Sequence, residues 1–91
     1  MSKYRLEIPR HIQRQIDGLP GFYHQRIRQI IIALANDPRP NNAKELRLFP
    51  NSWQIRLDNY RLVYSIEDAV LIVEIVKVGR KHGPEFYADI E

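Results

Sequence analysis

The 91 residues allow one domain, since domains commonly run to about 100–150 residues, and 44% hydrophobic with 27% charged residues is the composition of a folded globular chain. The absence of cysteine excludes disulfides, thiolate chemistry and Cys-ligated zinc. The longest apolar run, Ile30 to Ala35, falls far short of the roughly 20 residues that span a bilayer, so no membrane role is expected.

The formal charge of +3 is unevenly placed: residues 1–48 hold nine bases and four acids, residues 49–91 five bases and seven acids. A basic N-terminal half suits nucleic acid, an acidic protein partner, or a solvated helix surface. No apolar stretch follows Met1, so no secretory signal is expected and a cytoplasmic address is the default.

Tyr4, Leu6 and Ile8 alternate with Arg5 and Glu7 at the period of a half-buried strand. Pro9 suits the first turn of a helix, Ile12, Ile16 and Leu19 continue at helical spacing, and Gly18 with Pro20 marks the stop. A second helix is predicted from Gly21 to Ala35, with Ile27, Ile30, Ile31 and Leu34 on one stripe. The two form an αα-hairpin, ended by the loop from Asn36 to Asn42. The period then changes to two. Strands are predicted over Glu45–Leu48, Ser52–Leu57, Tyr60–Ile66 and Val70–Val78, with turns at Phe49–Asn51, Asp58-Asn59 and Glu67-Asp68. The result is a single α+β domain over 1–91: an N-terminal strand, a helical hairpin, then a mostly antiparallel four-stranded meander and a short tail with Phe86 and Tyr87.

A two-residue turn at Asp58-Asn59, where both residues tolerate φ > 0, fixes a register. Leu57 then faces Tyr60, Ile55 faces Leu62 and Trp53 faces Tyr64, which makes a core layer. The other face sets Gln54 across from Val63 and Arg56 directly across from Arg61. Opposed like charges destabilise a sheet, so this pair needs an explanation. Either an anion sits between the two guanidinium forks, a phosphodiester being the natural choice, or an acid of the next strand neutralises them. A turn at Glu67-Asp68 would place Glu74 beside Arg61 for that purpose. A second basic cluster, Lys77, Arg80, Lys81 and His82, lies between a strand and the tail tyrosine Tyr87, as suits a site that holds phosphate and stacks a base.

The three histidines have no metal-ligand spacing, and the chain has no glycine-rich phosphate loop, serine elbow or acidic cluster for magnesium. No metal or cofactor is therefore expected. His11 and His24 belong to helix surfaces; His82 alone lies near the basic cluster.

The opening strand, the helical hairpin, Asn36-Asp37-Pro38 leading to Lys44-Glu45-Leu46, the hairpin from Ile55 to Tyr64, and Val78-Gly79-Arg80-Lys81 with Tyr87 together resemble the RelE/ParE superfamily of bacterial toxin–antitoxin toxins. The resemblance covers nearly the whole chain, and its most specific part is Tyr60-Arg61-Leu62-Val63-Tyr64 with Gly79-Arg80. It implies a RelE-like fold, and the activity implied is that of a metal-independent mRNA interferase that cuts message in the ribosomal A site and is silenced by a cognate RelB-like antitoxin. The alternatives are a ParE-like gyrase poison and a binding module with weak or no catalysis.

By the same resemblance Arg61 corresponds to the arginine on the scissile phosphate, Arg56 to a basic residue of the preceding strand, Lys81 to a basic residue often arginine, and Tyr87 to a stacking tyrosine. Arg80 is placed to substitute for Lys81 through a one-residue shift, and His82 or Tyr87 to carry a proton if Lys81 does not. Lys44, Arg47, Gln54 and Lys77 complete the implied RNA-contacting set, with Gln54 standing where RelE has a second lysine. The basic helices, with Arg10, Arg14, Arg26 and Arg28, would receive an acidic amphipathic antitoxin helix.

Overall fold

A computed structural model describes residues 3–47 and 49–90. Strand β1 is Arg5–Glu7, followed by helices α1 (Arg10–Asp17) and α2 (Gly21–Leu34). The remaining strands are β2 (Ala43–Glu45), β3 (Ser52–Leu57), β4 (Tyr60–Glu67) and β5 (Ile72–Arg80). Single 3-10 turns cover Asp68–Val70 and Pro84–Tyr87. No helix among the described residues is long and apolar enough to cross a membrane.

Pro9 stands at the N-cap of α1, its carbonyl accepting from the amides of Ile12 and Gln13, and Gly18 closes the helix by donating to the carbonyl of Arg14. The sheet has the order β1-β5-β4-β3-β2, antiparallel except for β1, which runs parallel to β5. The two helices cover one face of the sheet. Ile12, Ile16, Ile27, Ile31 and Leu34 from the helices meet Ile55, Leu62, Tyr64, Ile66, Val73, Ile75 and Val78 from the sheet in one buried cluster. Tyr64 is fully buried, and its hydroxyl donates to the Pro38 carbonyl at 2.7 Å, which ties the loop after α2 to the sheet. Burial holds the phenol neutral by raising its pKa above the ordinary tyrosine range.

The β3–β4 register is as derived from the turn: Leu57 opposes Tyr60, Ile55 opposes Leu62, Trp53 opposes Tyr64 and Arg56 opposes Arg61. Of the two turn residues, Asp58 alone takes a left-handed conformation, at φ 54°.

Three details depart from the sequence reading. The strand expected at Glu45–Leu48 forms earlier, at Ala43–Glu45, because Ala43 and Glu45 pair with Ile55 and Trp53; Leu48 lies outside the described residues. The β4–β5 connection is wider than two residues. Asp68–Val70 makes a helical turn and Leu71 enters the left-handed region at φ 55°, so β5 runs from Ile72 to Arg80 rather than from Val70 to Val78. An irregularity after Val63 then skips Val76 in the pairing. Together these set Gly79, not Glu74, opposite Arg61, and Glu74 opposite Ser65, about 13 Å further along the strand at ~3.3 Å per residue. Glu74 therefore does not neutralise the arginine pair.

The sheet face away from the helices carries a second, smaller core. Phe86 and Ile90 of the tail bury Val63, with Leu46, Phe49, Val76 and Tyr87 packed around them. The tail thus covers part of this face and leaves the Arg56–Arg61 end open.

Candidate active site

Alternation along a strand decides which side chains share the open end. Lys44 pairs with Gln54, so both project on the face of Arg56 and Arg61. Lys81 follows β5, its amide donating to the Asn59 carbonyl at 2.7 Å, which fixes it beside the β3–β4 turn. Tyr87 arrives from the tail, where its hydroxyl donates to Gln54 Oε1 at 2.7 Å. These side chains, with Asn42, line a concavity of about 230 Å³.

Four cationic side chains thus border one cleft whose lining has no acid. Among the described residues no ion pair involves Lys44, Arg56, Arg61 or Lys81. Arg61 is half-buried, and its Nη1 donates to the carbonyls of Asp58 and Tyr60, each at 2.9 Å. A guanidinium has five N–H donors, so the three on Nε and Nη2 remain for a ligand. Lys81 Nζ lies 5.8 Å from the centre of the Tyr87 ring. The cleft combines fixed planar donors for phosphate, a flexible ammonium and an aromatic face.

The other sequence-derived candidates are not in its lining. Arg80 opposes Tyr60, whose side lies toward the helices, so strand alternation sends it to the opposite face from Lys81 and it does not substitute for that residue. His82 and Arg47 are exposed but do not line the cleft. Lys77 is on the correct face but engaged: its ammonium donates to the Phe86 carbonyl and to Asp89, and lies 4.3 Å from the centre of the Phe86 ring. It holds the tail. Asn42 lines the cleft without a sequence signal of its own, because it ends a polar loop whose composition points only to helix termination.

The Lys77 contact gives the tail a pH dependence. The ammonium beside Asp89 holds that carboxyl below its ordinary range. A depressed native pKa contributes stability above the unfolded value of about 4, and the contribution fades as pH falls through the native value. Tail docking is therefore expected to loosen on acidification below about pH 4 and to be insensitive to pH between 5 and 8. Amide exchange of residues 85–90 measured against pH checks this, and Asp89→Asn should remove the acid-dependent step.

Residues 3–83 match a family model described as the ParE toxin of the type II toxin–antitoxin system parDE. The chain belongs to the RelE/ParE toxin family. The mRNA interferase toxin RelE of Escherichia coli K12 is 25% identical over 88 residues, covering 94% of this chain and 92% of the relative. A structure of a mutant E. coli RelE in the free state superposes with a TM-score of 0.79 at 24% identity, covering 99% of this chain and 95% of the other. The intact E. coli RelBE toxin–antitoxin complex matches with a TM-score of 0.75 at 24% identity, over 88% of this chain and 99% of the matched one. Relatives of this toxin have thus been crystallised with RelB antitoxins.

Proposed function

We propose that this toxin is a ribosome-dependent endoribonuclease that cuts mRNA by metal-independent attack of the 2′-hydroxyl. The observation that carries this reading is the convergence of Lys44, Arg56, Arg61 and Lys81 with Tyr87 on one acid-free cleft. The kinship with a relative named as an mRNA interferase supports the same choice.

In this mechanism the 2′-oxygen forms a bond to phosphorus while the bond from phosphorus to the 5′-oxygen breaks, leaving a 2′,3′-cyclic phosphate and a 5′-hydroxyl. One proton leaves the 2′-hydroxyl and one is taken up by the 5′-oxygen. Arg61 and Arg56 place fixed donors on the phosphate oxygens where negative charge grows. They act as fixed charged donors rather than as proton carriers. Lys81 is the proton carrier that the cleft offers. Tyr87, its hydroxyl engaged by Gln54, presents its ring for stacking on a nucleotide. Orientation of the message by the ribosome supplies the rest, positioning being worth about 7–11 kcal/mol. A cognate antitoxin would dock an acidic helix on the exposed Arg10, Arg14, Arg26 and Arg28.

The family model's description favours a second reading, a ParE-like gyrase poison on the same fold. Purified toxin in a reconstituted translation reaction, with mRNA ends mapped, separates the two. Cuts inside codons of ribosome-bound message, with little cleavage of naked RNA, are expected. Equal cleavage of naked RNA contradicts the ribosome dependence, and loss of gyrase supercoiling without RNA cuts selects the second reading.

A further inference from the structure

On the helix side of the β3–β4 turn, Tyr23 of α2 donates its hydroxyl to Asp58 Oδ2 at 2.9 Å, and its ring lies 4.3 Å from that of Tyr60. On the cleft side, the main-chain carbonyls of Asp58 and Tyr60 are the two acceptors that hold Arg61 Nη1. The same few residues thus receive a helix on one face and orient a guanidinium on the other. Asp58 is also the turn residue with φ 54°, a conformation that an external hold on its side chain helps to fix.

The geometry points to Tyr23 and Asp58 as positioning residues for Arg61: they set the turn carbonyls that aim its remaining N–H groups into the cleft. Neither side chain lines the cleft. Their effect runs through the turn backbone. An arginine free to rotate would still supply charge, but not a plane of donors at a fixed angle, and planarity is what distinguishes Arg from Lys at a phosphate. The inference rests on the reading of the cleft as the cleavage site, and it predicts a lower turnover rather than weaker attachment to the ribosome.

The test uses Tyr23→Phe, which keeps the ring and removes the hydroxyl, and Asp58→Gly, which removes the acceptor and keeps a residue that takes positive φ without strain. Side-chain nitrogen NMR of the free full-length protein reads Arg61 directly. Wild type should show separate, slowly rotating Nη groups, and both variants should show averaged signals. On programmed ribosomes, each variant should lower kcat about tenfold with KM little changed, within the hundredfold reach of small misplacements. In an Arg61→Ala background Tyr23→Phe should add less than a twofold loss. Unchanged Arg61 signals in both variants, or a full tenfold loss persisting without Arg61, would overturn the assignment. Because the NMR measurement needs no RNA, it decides the positioning even if wild type proves not to cut message.

Discussion

Arg61→Ala is expected to lower cleavage of ribosome-bound message by about 10²–10³-fold, the loss typical of removing one fixed donor from a developing oxyanion. The fold should survive the change. The only protein partners of the guanidinium among the described residues are two carbonyls of the adjoining turn. Its removal also relieves the repulsion with Arg56, which stands directly opposite. Thermal unfolding should therefore move little while activity collapses. Arg61→Lys should recover charge without recovering rate, since an ammonium has no planar fork. Translation reactions with mapped mRNA ends and a parallel melting curve check both halves. Cleavage by Arg61→Ala within threefold of wild type would remove the arginine from the mechanism.

The arginine pair was legible in the sequence because a two-residue turn leaves one register, and strand alternation then assigns every side chain of β3 and β4 to a face. The same alternation, carried into β5, separates Lys81 from Arg80, but it needed the true width of the β4–β5 connection. Glu67-Asp68 reads as a tight turn, whereas the left-handed conformation of Leu71 is a tertiary outcome with no composition signal. It moved Glu74 away from Arg61, and together with the skipped Val76 it put Gly79 there instead. Lys77 shows a different limit. Its charge and strand position are plain in the sequence, but its engagement depends on Asp89, twelve residues on, and on the path of a tail whose second core spans Val63, Phe86 and Ile90. Asn42 is invisible for a related reason: a polar loop residue becomes a cleft residue only once β2 has found its partner on β3.

The tail itself carries the second large expected effect. Phe86 is 6% exposed, packs on the fully buried Val63, and comes within 3.5 Å of the position a Cβ would occupy on Gly79. Truncating a buried phenylalanine costs about 3–5 kcal/mol where the surrounding structure stays in place. Here the segment has few other anchors, chiefly Ile90, the Lys77–Asp89 pair and the Tyr87–Gln54 hydrogen bond. Phe86→Ala should thus release the tail locally rather than unfold the domain, because the main core between the helices and the sheet does not include it. Release carries Tyr87 away from Gln54 and Lys81, so cleavage should fall about 10–100-fold, the scale of a lost positioning contact. Amide exchange should rise over residues 85–90 and stay low in β3, β4 and β5. Retention of full cleavage with a freely exchanging tail would mean that the cations alone suffice and that Tyr87 takes no part in holding the message.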